Sequence, residues 1–137
     1  MIIHSLLQQM SDDGFGTVGQ DLQMGVLPLN SDGNAINGIA VTARGSEVTR
    51  LMAHVQNVDF YVRNTNPLTA SQEAQNILEY LKQSYSDICN LPPLEGYTEQ
   101  SFKNVTIEPT SSVEFVGVDD NAGHSFVVSG VIRYENN

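Results

Sequence analysis

The chain has 137 residues, a length that suits one domain and buries a core without disulfides or metals to hold it together. Hydrophobic residues make up 40% and charged residues 16%, a balance unlike that of an intrinsically disordered chain. The charges are lopsided, 16 acidic against 6 basic, and a formal net charge of −10 repels phosphate, which argues against groove-reading or sequence-specific nucleic-acid binding.

Ile2, Ile3, Leu6, Leu7 and Met10 recur at helical spacing and predict a short amphipathic helix over residues 2–10. Ser11-Asp12-Asp13-Gly14 ends it with turn chemistry. A first strand is predicted over 20–26, and Pro28 bars its extension through the middle of a sheet. Asn30-Ser31-Asp32-Gly33-Asn34 is dense in turn formers and reads as a connection. Ile39, Val41 and Ala43 share one face of a second strand over 38–43, and residues 45–49 read as a polar turn. Over 56–63 the alternation is clearest, with Gln56, Val58, Phe60 and Val62 facing one way and Asn57, Asp59, Tyr61 and Arg63 the other.

Asn66 then offers an N-cap, and Pro67 fits the first helical position, where its missing N–H costs no hydrogen bond; Thr69-x-x-Gln72, of capping-box form, offers a later start. Ala70, Ala74, Ile77, Leu78, Leu81 and Tyr85 form the apolar stripe of this main helix, and Pro92-Pro93 bars helical continuation. Strand patterns resume with Val105 and Ile107, continue over 113–118, turn at 119–123 and end over 125–134. In that last strand Phe126, Val128, Gly130, Ile132 and Tyr134 alternate with Val127, Ser129, Val131 and Arg133. Its second face is partly apolar through Val127 and Val131, which implies cover by helices or by another subunit. The order of periodicities predicts a single α+β domain over residues 1–137, with a mainly antiparallel sheet flanked by a short N-terminal helix and one longer central helix. Phe60, Ile77, Leu81 and Phe126 are the expected core.

Cys89 is the only cysteine, so no disulfide closes within one chain and no zinc cage assembles, as suits a reducing compartment. The first residues lack the basic and continuous apolar regions of a signal peptide, and no apolar run approaches the ~20 residues that span a bilayer. A soluble cytosolic product is the expectation.

Several motifs give way to simpler readings. Gly14-Phe15-Gly16-Thr17-Val18-Gly19 matches G-x-G-x-x-G, but dinucleotide binding needs a strand before it and a helix after it, the reverse of the predicted order. A flexible glycine loop is the expectation. The run from Asp32 has Ile36 at the fifth position of a calcium loop and Ala43 at the twelfth, where a bidentate Glu is required. Asp12-Asp13 and Asp119-Asp120 sit in turns, where Asp bonds its own backbone. His4, His54 and His124 have no metal-spaced partner, and Gly123-His124-Ser125 has Val127 where a nucleophile elbow needs glycine. Asn104-Val105-Thr106 is formally a glycosylation sequon, one that a cytosolic chain does not expose to the machinery. No catalytic set, cofactor or metal is expected.

Three regions together resemble the tail terminator (minor capsid) family of long-tailed bacteriophages. They are the 2–10 helix with its glycine-rich loop; the strand Val55-Gln56-Asn57-Val58-Asp59-Phe60-Tyr61-Val62-Arg63 followed by a helix with Ala70, Ala74, Ile77 and Leu81; and an ending with Ile107, Pro109, Gly117, an acidic turn at Asp119 and the final strand. His124 departs from the family pattern, which often has a basic residue leading into that strand. The resemblance implies a small α+β domain in a homo-hexameric ring that caps the tail tube, stops its polymerisation and docks the head. The implied partners are further copies of the chain, the tail tube protein and a head connector or completion protein, with DNA passing through the lumen unread and no membrane involved. The implied place is the virion's head–tail junction, after assembly in the host cytoplasm. Candidate interface residues are Asp32 and Asn34 in the polar connection, Asp119, Asp120 and His124 in the last turn, and Val127 and Val131 on the second face. A head-completion ring is the neighbouring reading. A small-ligand-binding α+β domain and an acidic DNA mimic are readings from other classes.

Overall fold

A computed structural model describes residues 2–48, 53–85, 89–91 and 102–136, and its alternating segments join in one mixed sheet. In chain order the elements are α1 (Ile2–Asp12), β1 (Leu22–Met24), β2 (Gly38–Val48), β3 (Ala53–Asn64), α2 (Pro67–Tyr85), β4 (Cys89–Leu91), β5 (Phe102–Pro109), β6 (Glu114–Val118) and β7 (His124–Asn136). Across the sheet the order is β1-β2-β3-β7-β5-β4, with β6 also on β7. Among the described strands only β1 and β2 run parallel; the other pairings are antiparallel. The fold is α+β, as the periodicities predict.

β5 and β6 share one edge of β7, as two lengths of an interrupted strand. Pro109 lies opposite Gly130 and Glu114 opposite Val127. Across the gap the Thr110 N–H donates to the Ser129 carbonyl (2.8 Å) and the Ser129 N–H to Ser111 Oγ (2.9 Å). The edge bends here without leaving the Ser129 backbone unpaired.

The two-residue period gives the sheet two unlike faces. Ile39, Val41, Val58, Phe60, Val62, Ile107, Val128 and Ile132 lie on the inner face, and all are buried. On it α2 lays Ala74, Ile77, Leu78 and Leu81, and α1 adds Ile2, Ile3, Leu6, Leu7 and Met10 to the same continuous cluster. α2 packs across β3, β7 and β5, while α1 touches β1 and β2 near one edge and β4 at the other. The sheet therefore curls about α1. α2 starts where expected, since Asn66 Oδ1 accepts from the N–H groups of Leu68 (3.0 Å) and Thr69 (3.3 Å). Gly130 lets this helix sit close: a Cβ there would stand 3.0 Å from the Glu108 carbonyl and 3.4 Å from Leu81 Cδ1. Gln56, a buried polar residue in the inner row of β3, donates to the Arg44 carbonyl (2.6 Å) and the Gly45 carbonyl (3.3 Å) of a bulge in β2.

That bulge corrects one expectation. β2 does not turn at Gly45 but continues to Val48, because the register shift between Arg44 and Ser46 absorbs the glycine within the strand. β1 is three residues, shorter than the predicted 20–26, because the extended backbone ends after Met24, where Gly25 takes a positive φ of 93°. Phe60, Ile77 and Leu81 are fully buried, but Phe126 is only half-buried. Phe126 packs edge-on to Phe115 of β6 (5.3 Å between ring centres), itself 58% exposed, so one side of the pair has no cover. β4 had no signal in the alternation. The Tyr85 side chain and the Pro92-Pro93 stop lie outside the described residues.

Candidate functional site

The second face of the sheet carries no helix among the described residues, and its side chains tie to one another. Asp59, 8% exposed, receives Arg44 Nε at 2.9 Å and Ser129 Oγ at 2.6 Å. Arg133 pairs with Glu108 across β5 and β7. Val131, directly opposite Glu108, is buried within the chain, whereas Val127 keeps part of its surface open. Of the two valines, only Val127 offers a partner much to touch.

At the end of β3 this face closes in a clasp built on Arg63. Its guanidinium is buried, with a side-chain exposure of 7%, and reaches two other segments. Nε donates to Asp119 Oδ2 (2.6 Å), Nη2 to Asp119 Oδ1 (3.2 Å) and Nη1 to Asn37 Oδ1 (3.0 Å). Asn37 Oδ1 also accepts from the Thr65 N–H at 3.1 Å. A fork of this kind uses the planar donors of arginine in a way lysine does not match. Asp119 Oδ1 in addition accepts from the N–H groups of Asn121 (3.0 Å) and Gly123 (2.9 Å). The Arg63 hydrogen bonds, followed by the Gly123 amide, hold the Asp119 carboxyl well below the usual carboxylate range.

The β6–β7 turn is shaped around this contact. The Ala122 N–H donates to the Asp119 carbonyl and Ala122 takes the left-handed conformation, φ 60°, the pattern of a three-residue hairpin loop. Gly123 is required by crowding, since a Cβ there would lie 2.3 Å from Arg63 Cζ. Beside the clasp, Asn30, Asn34, Ala35, Ile36, Thr65 and Asn121 join Asn37 and Arg63 around an open cavity of about 340 Å³. Asn30 organises the tip of the 28–36 hairpin by accepting from the N–H groups of Asp32 (2.9 Å) and Asn34 (3.1 Å).

The predicted residues therefore divide. Asp119 is part of the clasp, Asn34 lines the cavity beside it, Asp32 sits exposed on the neighbouring tip, and His124 follows the turn with Nδ1 3.0 Å from the Ala122 carbonyl. Asp120 is exposed at the turn itself. Arg63, Asn37, Thr65 and Gly123 were absent from the predicted set. The available signal was an arginine on the polar side of an otherwise apolar strand, in a chain with only six basic residues.

A second cavity, of about 380 Å³, lies between the end of α1 and α2, lined by Asp13, Gly14, Phe15, Ile39, Glu73 and Asn76. Partial burial, followed by the charge of Asp21, raises the pKa of Glu73. The glycine loop beside it is pinned rather than loose. The Thr17 N–H donates to Asp21 Oδ1 (2.7 Å), Ser11 Oγ donates to the Gly16 carbonyl (2.8 Å), and Phe15 packs on Tyr80. A helix precedes this loop and a strand follows it, which is the wrong context for dinucleotide binding. Among the described residues, no three His, Cys, Asp or Glu side chains are grouped to hold a metal ion, and no helix is long and apolar enough to cross a membrane. No family model and no curated protein matches the sequence.

Proposed function

We propose that the chain is a structural assembly protein, a tail terminator ring that caps a phage tail tube, stops its polymerisation and presents a docking surface to the head. The observation that carries the reading is the one-sided packing of the sheet. Both helices cover one face, while the other face and the β6 edge have no cover among the described residues. Part of that open face is held in place by two ion pairs, each with one buried member, Asp59 or Arg63, as a template surface needs. Exposed loops cluster at the Arg63 end, where the 30–34 tip and the 119–123 turn converge. The order of sequence features supports the same family.

On this reading copies of the chain form a closed ring, with six copies the number the resemblance implies. The ring meets the tube protein on one side and a head connector or completion protein on the other. A net charge of −10 suits a lumen through which DNA slides without being held. The protein's place is then the head–tail junction of the virion, reached from the host cytoplasm. The test is deletion of the gene from its parent phage, with electron microscopy of the lysate. Overlong or unjoined tails are expected. Normal joined tails, or tails of correct length beside leaking heads, overturn the proposal.

A further inference from the structure

The sheet presents two unlike apolar edges at opposite ends of one tier. A continuous row of paired residues crosses it: Leu22 opposite Ile39, Ile39 opposite Val62, Val62 opposite Phe126, and Phe126 opposite Phe115. Among the named strands the row runs from β1 to β6, four strand spacings or roughly 19 Å apart if laid flat; Val18 bridges Leu22 on its outer side, so the open part of the β1 edge lies past it, from Met24. At the β6 end Phe115, Val116 and Val118 are each more than half exposed, on a strand whose only partner among the described residues is β7. At the β1 end Met24 is 45% exposed and Val26 is 80% exposed. Gly25 holds Val26 at this edge, because its N–H donates to the Val41 carbonyl (2.9 Å) and its carbonyl accepts from Thr42 Oγ1 (3.1 Å).

An open apolar strand edge invites another chain, and proteins that avoid this protect it with charge, proline or a cover. We infer that the occupant of the β6 edge is a second copy of this chain, received through its Met24–Val26 edge in a head-to-tail contact. Charge selects this partner over a second β6. Glu114 lies within β6 and the exposed Asp120 follows it, so two β6 edges brought together would oppose their carboxylates. The stretch from residue 22 to residue 31 contains no charged residue at all. A head-to-tail contact uses a different surface on each side, so each copy retains one free edge of each kind and addition continues until the rotation closes. The inference rests on the assembly reading above for why copies meet; the edges and their charges say where.

Three chains in a Cys89→Ser background test it, each treated with a short bis-maleimide cross-linker: Val26→Cys alone, Val116→Cys alone, and both together. Both changed positions are exposed, and matched thermal melts check the fold; Met24→Cys with Val118→Cys serves as the replacement pair if a melt shifts. The doubly substituted chain should give a ladder of dimer, trimer and higher species on a denaturing gel. Each single chain should stay monomeric, and their mixture should stop at the dimer. Dimers from Val116→Cys alone would show β6 pairing with itself and overturn the inference, as would a doubly substituted chain that remains monomeric. The two proposals fail separately: a ladder beside normal tails in the deletion phage rejects only the tail reading, and monomers beside overlong tails reject only this contact.

Discussion

Gly123→Ala is the sharpest probe of the clasp, because a single methyl group is aimed at a single side chain. The added Cβ would stand 2.3 Å from Cζ, Nε and Nη2 of Arg63. Non-bonded carbon atoms rest at about 3.5–4.0 Å, so the guanidinium must retreat by more than about 1 Å. It has little freedom to do so, being buried and bonded at once to Asp119 at 2.6 Å and Asn37 at 3.0 Å. Overpacking of a well-filled site costs about 1–3 kcal/mol. Urea unfolding should show a loss in that range for Gly123→Ala, with an unchanged slope. The same substitution made beside Arg63→Ala removes the obstacle, so there it should cost less than about 0.5 kcal/mol, a coupling of the kind double-mutant cycles resolve. An equal cost in both backgrounds would show that the glycine serves some other purpose, and the clasp argument would fall.

Three further outcomes follow from the packing and the charges. Leu81→Ala empties the contact between α2 and Gly130 and should cost about 2–5 kcal/mol in urea melts; a loss well under 1 kcal/mol would mean that another side chain carries the helix face. Asp119 has a folded pKa far below its ordinary 3.8, so its stabilisation is fully present above that value and is lost as pH falls through the folded pKa. The gap in stability between the native chain and Asp119→Asn should therefore stay level from pH 8 to 5 and narrow below 3.8, and a gap that widens in acid would contradict the assignment. Glu73 is shifted the opposite way, above 4.5, so its ionised form weakens the fold at neutral pH. Glu73→Gln should raise the urea midpoint at pH 7, and the gain should fade as pH falls through the folded pKa; a lower midpoint at pH 7 would reverse the sign of the argument.

Elements with local causes were readable from the residues. α2 announced itself through its N-cap at Asn66, its proline and its apolar stripe, and β3 and β7 through strict alternation. The short strands were less legible: β1 and β4 have three residues each, too few for a period to show. The bulge at Gly45 was read as a turn because glycine serves both, and the choice depends on the register with β3. The same distinction divides the clasp. Asp119 to Gly123 reads as a turn from its residue types, but the partner of Asp119 is 56 residues away in Arg63. No local pattern encodes that contact, and without it the requirement for glycine at 123 has no visible cause.

The placement of β7 has a consequence for how the molecule is made. This strand comes last in chain order yet lies inside the sheet, between β3 and the β5–β6 edge. Its rungs with β3 join Asn64 to His124 and Ala53 to Glu135, so every one spans about 60 residues or more, the non-local kind of pairing that slows folding. During synthesis β3 emerges well before the strand that covers its open side. A ribosome-bound chain that has passed α2 but not β7 thus shows the unpaired edge of β3, with Phe60 and Val62 in it, to its surroundings. Nascent-chain crowding on a polysome is the point at which this fold is most open to mispairing, and slow codons or a chaperone would have most effect between the emergence of β3 and that of β7.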